Sequence, residues 1–315
     1  MSRAVVFAYH DVGVRCLAVL LARGMEVPLV VTHRDDPREK IWFASVAELA
    51  GHYGIPVVTP ADPNTSETVA RVRNAQPQFI FSFYYRSMLR QPLLELAHGN
   101  AYNMHGSLLP KYRGRVPVNW AIIHGESETG ASLHEMVVKP DAGRLVDQQS
   151  VPILPNDLAV DVFRKVSTAA EMVLHRALPA LVSGTARLTP QDLSRGSYFG
   201  GRRPEDGRID WTKDAWSVHN LVRAVAPPYP GAFSDIGERR LEIFRTFYTG
   251  EHEGAPQSPF LHSRRNELIA CCADGGLLKV LEARLDGTPL DTQNFSCITG
   301  TERLPLTIQK TGGNH

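Results

Sequence analysis

The chain has 315 residues, 34 Lys and Arg against 33 Asp and Glu, and 43% hydrophobic residues. A formal net charge of +1 excludes a strongly basic nucleic-acid binder, the apolar content excludes a disordered tail, and the length suffices for two modest domains with cores of their own. The four cysteines, Cys16, Cys271, Cys272 and Cys297, are few and irregularly spaced, which suits a reducing cytoplasm, and Met1-Ser2-Arg3 leads into an apolar run too short for a signal or a membrane span.

Ala4 to Tyr9 reads as a buried strand and Val12 to Arg23 as the helix that follows, with Gly24 as its stop. Val27 to Thr32 is the next strand, Ser45 to Tyr53 a helix, Ile55 to Val58 a short strand, Thr65 to Ala75 a helix and Phe79 to Phe83 a strand. This alternation predicts an α/β, Rossmann-like, mostly parallel sheet covered on both faces, with ligands bound outside the carboxyl ends of its strands. The first strand-to-helix turn, Tyr9-His10-Asp11-Val12-Gly13, has one glycine. A dinucleotide cradle needs Gly-x-Gly-x-x-Gly there, so no NAD is expected. His10 and Asp11 read as local hydrogen-bonding turn residues.

The strand ending at Phe83 runs into Tyr84-Tyr85-Arg86-Ser87-Met88-Leu89. Aromatic rings and a guanidinium at a carboxyl-end loop suit stacking on a ring and pairing with a phosphate; the alternative is a tyrosine packed under the loop and an arginine capping a carboxylate. Next comes Asn103-Met104-His105-Gly106-Ser107-Leu108-Leu109-Pro110-Lys111-Tyr112-Arg113-Gly114-Arg115. Asn103 and His105 stand two apart near a strand end, hence on one face. An amide donor beside an imidazole that titrates near neutral pH is the equipment of acyl transfer: one holds a developing oxyanion, the other moves a proton.

Pro117 starts a helix, and Thr129 to Val138 and Arg144 to Ile153 read as strands joined by Lys139-Pro140-Asp141-Ala142-Gly143. Leu158 to Leu181 is a long helix with an apolar stripe. His134-Glu135 lacks the second histidine of a zinc-protease helix, because Val138 stands four residues on, and no Cys/His cluster has ligand spacing; no metal is expected. Around Ser197 to Asp206 the composition turns linker-like. Beyond it, a helix at Ala215 to Ala226 and short segments at Leu241 to Tyr248, Leu268 to Ala273 and Leu277 to Leu281 predict a small open β-barrel. The expected domains are a catalytic one over 1–204, an OB-like one over 205–305 and a flexible tail over 306–315.

Three strings carry a resemblance: Asn103 to Gly114, Thr129-Gly130-x-x-x-His134-x-Met136 leading to Asp141-x-Gly143, and Asp206-Gly207-Arg208-Ile209-Asp210-Trp211. Together they resemble the 10-formyltetrahydrofolate-dependent formyltransferases. The resemblance implies formyl transfer by Asn103, His105 and Asp141, with Asp141 raising the pKa of His105. It also implies folate contacts at Ser87, Met88 and Leu89, at Arg115, and at Val137, Val138, Lys139, Pro140 and Asp141; Tyr85 and Arg86 are assigned to the acceptor. Within the family, Phe7 to Gly13, Phe81 to Arg86 and Lys111 to Trp120 look like the formyltransferase half of the bifunctional polymyxin-resistance enzymes, which formylate UDP-4-amino-4-deoxy-L-arabinose for lipid A. The dehydrogenase half of those enzymes is not expected here.

Residues 205–315 hold 12 Lys and Arg against 15 Asp and Glu, a poor surface for tRNA, whose phosphates demand positive charge. The Arg34 to Lys40 loop is also shorter than the methionyl-tRNA formyltransferases carry. Those enzymes are the alternative reading, together with formyltetrahydrofolate hydrolases, which pass the formyl group to water. In the C-terminal unit Ala255-Pro256-Gln257-Ser258-Pro259-Phe260-Leu261 replaces an expected Pro-Gly-x-Val turn. The expected partners are a nucleotide sugar and a folate, with no nucleic acid and no membrane span, in a cytoplasmic protein expected to be a monomer.

Overall fold

The computed structural model describes residues 2–37, 39–254 and 258–306. The expected tail beyond 306 and the Ala255-Pro256-Gln257 part of the replaced turn lie outside the described residues. Backbone proximity divides the chain into two compact units. The first holds the residues up to Pro117, Glu128–Val151 and Phe163–Gly200; the second holds Val118–Ser127, Pro152–Val162 and the chain from Gly201 onward.

The chain begins β1 (Arg3–Ala8), α1 (His10–Ala22), β2 (Glu26–Val31), α2 (Val46–His52), β3 (Val57–Val58), α3 (Ser66–Asn74), β4 (Phe79–Phe83), α4 (Gln91–Leu94) and β5 (Ala101–His105). It continues through β6 (Arg113–Gly114), α5 (Pro117–Ile123), β7 (Glu128–Glu135), β8 (Leu145–Pro152), α6 (Ala159–Val182) and β9 (Tyr198–Phe199). The first unit's sheet has the order β3-β2-β1-β4-β5-β7-β8. Pairs from β3 through β5 are parallel, and β7 runs antiparallel to β5. All of β4 and all but the first residue of β1 are buried, so these strands read as continuous apolar runs without alternation. The strand order reverses between β1 and β4, which opens a crevice at their carboxyl ends. Ser45 and Thr65 cap α2 and α3 by accepting the N–H of Glu48 and Thr68.

In the second unit, α7 (Ala215–Val225) packs on an antiparallel sheet made of β10 (Ala232–Ile236), β11 (Arg239–His252), β12 (Phe260–Arg264), β13 (Glu267–Cys271), β14 (Gly276–Leu285), β15 (Thr288–Leu290) and β16 (Arg303–Pro305). The order β10-β11-β14-β13-β12-β16, with β15 on β14, leaves the sheet open. That agrees with the OB-like expectation, although β10, β12, β15 and β16 are strands the sequence reading omits. Val218, Val222 and Val225 of α7 share a core with Trp211, Leu241, Ile243 and Leu278. Short segments of earlier chain join this unit through side chains: Asn119 Nδ2 donates to the Ala224 carbonyl at 2.7 Å, and Arg223 Nη1 donates to the carbonyls of Leu154 and Asp157.

All four cysteines are free thiols. Among the described residues no helix is long and apolar enough to cross a membrane, and no group of three or more His, Cys, Asp or Glu is arranged to hold a metal ion.

Candidate active site

Alternation along β5 sends Asn103 and His105 to one face and Tyr102 and Met104 to the other. On the antiparallel neighbour, the register sets His134 opposite Asn103 and Ser132 opposite His105. Directly opposed cross-strand pairs have their Cβ atoms roughly 5 Å apart, so these side chains meet. His134 is 1% exposed and His105 6%, which requires their ring nitrogens to find partners inside the protein.

The hydrogen bonds assign the ring protons. His105 Nε2 lies 2.7 Å from the Tyr112 carbonyl oxygen. A carbonyl only accepts, so Nε2 carries the proton and Nδ1 is bare in the neutral ring; Nδ1 stands 3.6 Å from Asp141 Oδ1. In His134 the polarity is reversed. Its Nδ1 donates to the Glu135 carbonyl at 2.7 Å, leaving Nε2 to accept from Asn103 Nδ2 at 3.1 Å. Asp141 Oδ1 is 3.6 Å from this Nε2 as well.

Asp141 reaches the cluster from the turn between β7 and β8, with φ +52°. Its Oδ2 accepts the Gly114 N–H at 2.8 Å, and Gln191 Nε2 donates to the carbonyls of Asp141 at 3.1 Å and Gly143 at 2.6 Å. Gly114 has φ +100°, and a Cβ there would lie 2.1 Å from the Phe199 carbonyl oxygen. Only glycine lets β6 lie against β9 and still aim its N–H at the carboxylate. The loop after β5 is held equally firmly. Ser107 Oγ donates to the Lys111 carbonyl at 2.6 Å, and Ser132 Oγ donates to the Ser107 carbonyl at 2.6 Å while accepting the Leu109 N–H at 3.1 Å. This folds the loop back and brings the Tyr112 carbonyl onto His105.

Burial works against a charge on Asp141, but the attraction of His105 and His134 and the Gly114 N–H outweigh it, and the carboxyl is held well below the usual carboxylate range. For His105 the balance falls the other way. Burial lowers its pKa more than Asp141 and the Tyr112 carbonyl raise it, so the net shift is downward. The expectation that Asp141 lifts His105 above its ordinary value is therefore corrected: the carboxylate opposes desolvation without overcoming it. A neutral His105 at pH 7, with Nδ1 bare, is a base.

Residues 12–178 match the family described as "Formyl transferase", and residues 202–298 match "Formyl transferase, C-terminal domain". The chain belongs to the formyl transferase family. Solved structures share the fold of this formyltransferase. An N-formyltransferase from Helicobacter canadensis, in complex with folinic acid and dTDP-3-aminofucose, matches with a TM-score of 0.73 and 21% identity over 89% of this chain and 99% of that one. WlaRD, a sugar 3N-formyl transferase in the presence of dTDP and 5-N-formyl-THF, matches at 0.74 and 20% over 89% and 97%. HypX from Aquifex aeolicus, in complex with tetrahydrofolic acid, matches at 0.60 and 19% over 95% of this chain and 48% of that one.

The remaining expected site residues of the formyltransferase divide into exposed and packed ones. Met88, Val137 and Val138 are 56%, 42% and 76% exposed, on the loop after β4 and the approach to Asp141. Lys139 is exposed, Ser87 and Pro140 are half-buried, and Leu89 belongs to the core beside Leu93. Arg115 is exposed, and its Nη2 donates to the Arg86 carbonyl at 3.3 Å. Tyr85 is packed: the His33 ring stacks on it at 4.1 Å and Phe7 meets it edge-on at 5.4 Å. Arg86 is exposed but caps a carboxylate, with Nη1 and Nη2 each 2.8 Å from an oxygen of Glu39 and the guanidinium 4.8 Å above the Tyr9 ring.

Sequence reasoning missed this second cluster around Arg86. Tyr9 Oη donates to Asp35 Oδ1 at 2.7 Å, His33 Nε2 accepts the Arg86 N–H at 3.0 Å, and His10 stacks on Phe43 at 3.8 Å. His10 Nδ1 accepts the Asp11 N–H at 2.9 Å, the local role expected of that turn. Burial, reinforced by the Arg86 cation, pushes His10 down to about 3 and His33 down to about 4. His134 was missed as part of the first cluster. The available signal was the polar pair Ser132-x-His134, which mirrors Asn103-x-His105 in spacing.

Proposed function

We propose that this formyltransferase moves the formyl group of 10-formyltetrahydrofolate onto the amine of a nucleotide-linked amino sugar, and specifically onto the 4-amino group of UDP-4-amino-4-deoxy-L-arabinose, in the cytoplasmic steps of lipid A modification that lead to polymyxin resistance. The observation that carries the chemistry is the His105 ring, held through Nε2 on the Tyr112 carbonyl at 2.7 Å with Nδ1 3.6 Å from Asp141, on the face of β5 that it shares with Asn103.

When bound, 10-formyltetrahydrofolate supplies an activated formyl carbon and a nitrogen that must leave protonated. His105 Nδ1 accepts the proton of the attacking amine while its Nε2–H stays on the Tyr112 carbonyl. Asp141 stabilises the imidazolium so formed, which then delivers the proton to the leaving nitrogen; a positioned shuttle of this kind is worth ~10²–10⁴ in rate. Asn103 spends one Nδ2–H on His134 and directs the other at the formyl oxygen as it gathers charge. Loss of such a donor costs ~10²–10³. The uncovered apolar side chains of Met88, Val137 and Val138 fit a flat pterin, with Ser87, Lys139, Pro140 and Arg115 at its margin and Leu89 supporting the loop from the core. On the acceptor side, a diphosphate would compete with Glu39 for the Arg86 guanidinium, and Tyr85 acts from beneath as support.

Three things favour the sugar: the segment resemblances, two fold relatives described as sugar or N-formyltransferases with dTDP ligands, and the acidic balance of residues 205–315, which suits no tRNA. The ligands of those relatives make uridine against thymidine a question for the assay. Purified protein and 10-formyltetrahydrofolate are offered UDP-4-amino-4-deoxy-L-arabinose, a dTDP-linked amino sugar and initiator Met-tRNA in parallel, and products are read by mass spectrometry. Formylated UDP-arabinosamine supports the proposal. Formylated dTDP-sugar alone changes the nucleotide, formylated tRNA overturns the sugar, and formate without any formylated amine marks a hydrolase.

A further inference from the structure

We propose that His134 is a positioning residue that orients the Asn103 amide for catalysis, an inference that rests on the reading of Asn103 as the oxyanion donor. A primary amide can be turned end for end with little change in shape, so the protein must select which end faces the reacting oxygen. The selector is the tautomer of His134. Its Nδ1 is 2.7 Å from the Glu135 carbonyl and must hold a proton, so in the neutral ring Nε2 can only accept. At 3.1 Å from Asn103, a bare Nε2 tolerates the NH₂ end and rejects the oxygen end. The amide is planar, so anchoring one Nδ2–H fixes the direction of the other.

Nothing in the surroundings lets this ring drift. His134 is 1% exposed, its Cα is tied to Asn103 by the β5–β7 register, and the Glu135 carbonyl that locks Nδ1 is itself in β7. Ser132, the other polar residue on that face of β7, is occupied by the loop at Ser107 and Leu109 and by Gln148 Nε2 at 2.7 Å. It cannot take over the amide. The groups facing His134 are Asp141 Oδ1 at 3.6 Å and the His105 ring, 6.5 Å away between centroids. One carboxylate thus lies between two imidazoles of opposite tautomer: His105 with Nδ1 bare toward the reaction, and His134 with Nε2 bare toward Asn103.

The test is a double-mutant cycle joined to a spectroscopic readout. His134→Ala should lower kcat by about 10- to 10²-fold while leaving the KM for 10-formyltetrahydrofolate within about twofold, the pattern of a misdirected donor. In the Asn103→Ala background the same change should move kcat by less than about twofold, because the group it acts through is gone. His134→Gln, whose Oε1 can still accept the Asn103 N–H, should recover part of the loss, and it carries the cycle should the alanine variant fold poorly. Long-range ¹H–¹⁵N spectra of the histidine rings should show the Nδ1–H tautomer for His134 at neutral pH without any ligand. Losses that add in the double variant, a parallel collapse of folate affinity, or an Nε2–H tautomer would each overturn the inference while leaving Asn103 as donor. An Asn103→Ala enzyme of near wild-type turnover would instead overturn the reading of Asn103, and the positioning role with it.

Discussion

Two clusters at the carboxyl ends of one sheet bury imidazoles in opposite electrical company. At the end of β5, His105 and His134 flank the Asp141 carboxylate, 3.6 Å from each. At the ends of β1, β2 and β4, His10 and His33 lie among aromatic rings, and the charge acting on them is the Arg86 cation. Burial lowers the pKa in both places. Asp141 offsets part of that for His105, whereas Arg86 deepens it for His10 and His33. In one cluster a carboxylate favours the protonated form of its imidazole against burial; in the other, burial and a cation act together and keep the rings neutral as packed acceptors. The sign of the neighbouring charge, not the residue type, separates a base from a scaffold.

The contrast should be largest in turnover. His105→Ala is expected to lower kcat by about 10²- to 10⁴-fold, while a folded His10→Phe variant keeps kcat near the wild-type value; equal losses would make the two histidines equivalent. Next comes the carboxylate. Asp141→Asn should cost about 10- to 10³-fold, the worth of an opposite charge beside an imidazole, and should also move the acid limb of kcat/KM. The wild-type rate falls as pH drops through the lowered pKa of His105, below its ordinary value. Because Asp141 raises that pKa, its removal moves the limb to still lower pH, and a limb that moved upward would contradict the assignment.

Arg86→Ala tests the other cluster as an acceptor site. It should raise the KM for the nucleotide sugar by about 10- to 10²-fold, the range of a hydrogen bond to a charged group, with the KM for folate unchanged. Isothermal titration with the UDP-sugar showing wild-type affinity would remove Arg86 from the acceptor site. The smallest expected effect is on stability. His10 and His33 have folded pKa values of about 3 and about 4, below the unfolded value of about 6.5. The unfolded chain therefore binds more protons between these limits, so their contribution is complete above pH 6.5 and is lost as pH falls toward 4 and then 3. The midpoint of thermal unfolding should drop between pH 7 and pH 4.5, and His10→Phe should flatten that drop.

Much of the first cluster was legible because it depends on local rules. A period of two placed Asn103 and His105 on one face, and the family resemblance, rather than the turn chemistry around it, pointed to Asp141. His134 was not legible in the same way. Its role requires β7 to run antiparallel to β5 in a register that opposes it to Asn103, and the apolar pattern of β7 does not state which neighbour it chooses. The second cluster was less legible still: Glu39 and Asp35 come from the loop after β2, and only the folded chain brings them to Arg86 and Tyr9. Tyr85 and Arg86 follow one another in sequence yet separate into a packed ring and an exposed cation, because the loop after β4 turns one toward Phe7 and the other toward solvent.

The sequence by itself determined the α/β sheet, the open antiparallel unit that follows it in the chain, and the family, and it nominated Asn103, His105 and Asp141 as candidates, since periodicity, turn chemistry and a long motif are all read within one stretch of chain. Tertiary structure alone decided the tautomers of His105 and His134, the partner of Arg86 and the direction in which the His105 pKa moves. Those quantities depend on burial and on charges brought from distant segments, and desolvation has no signature in the order of residues.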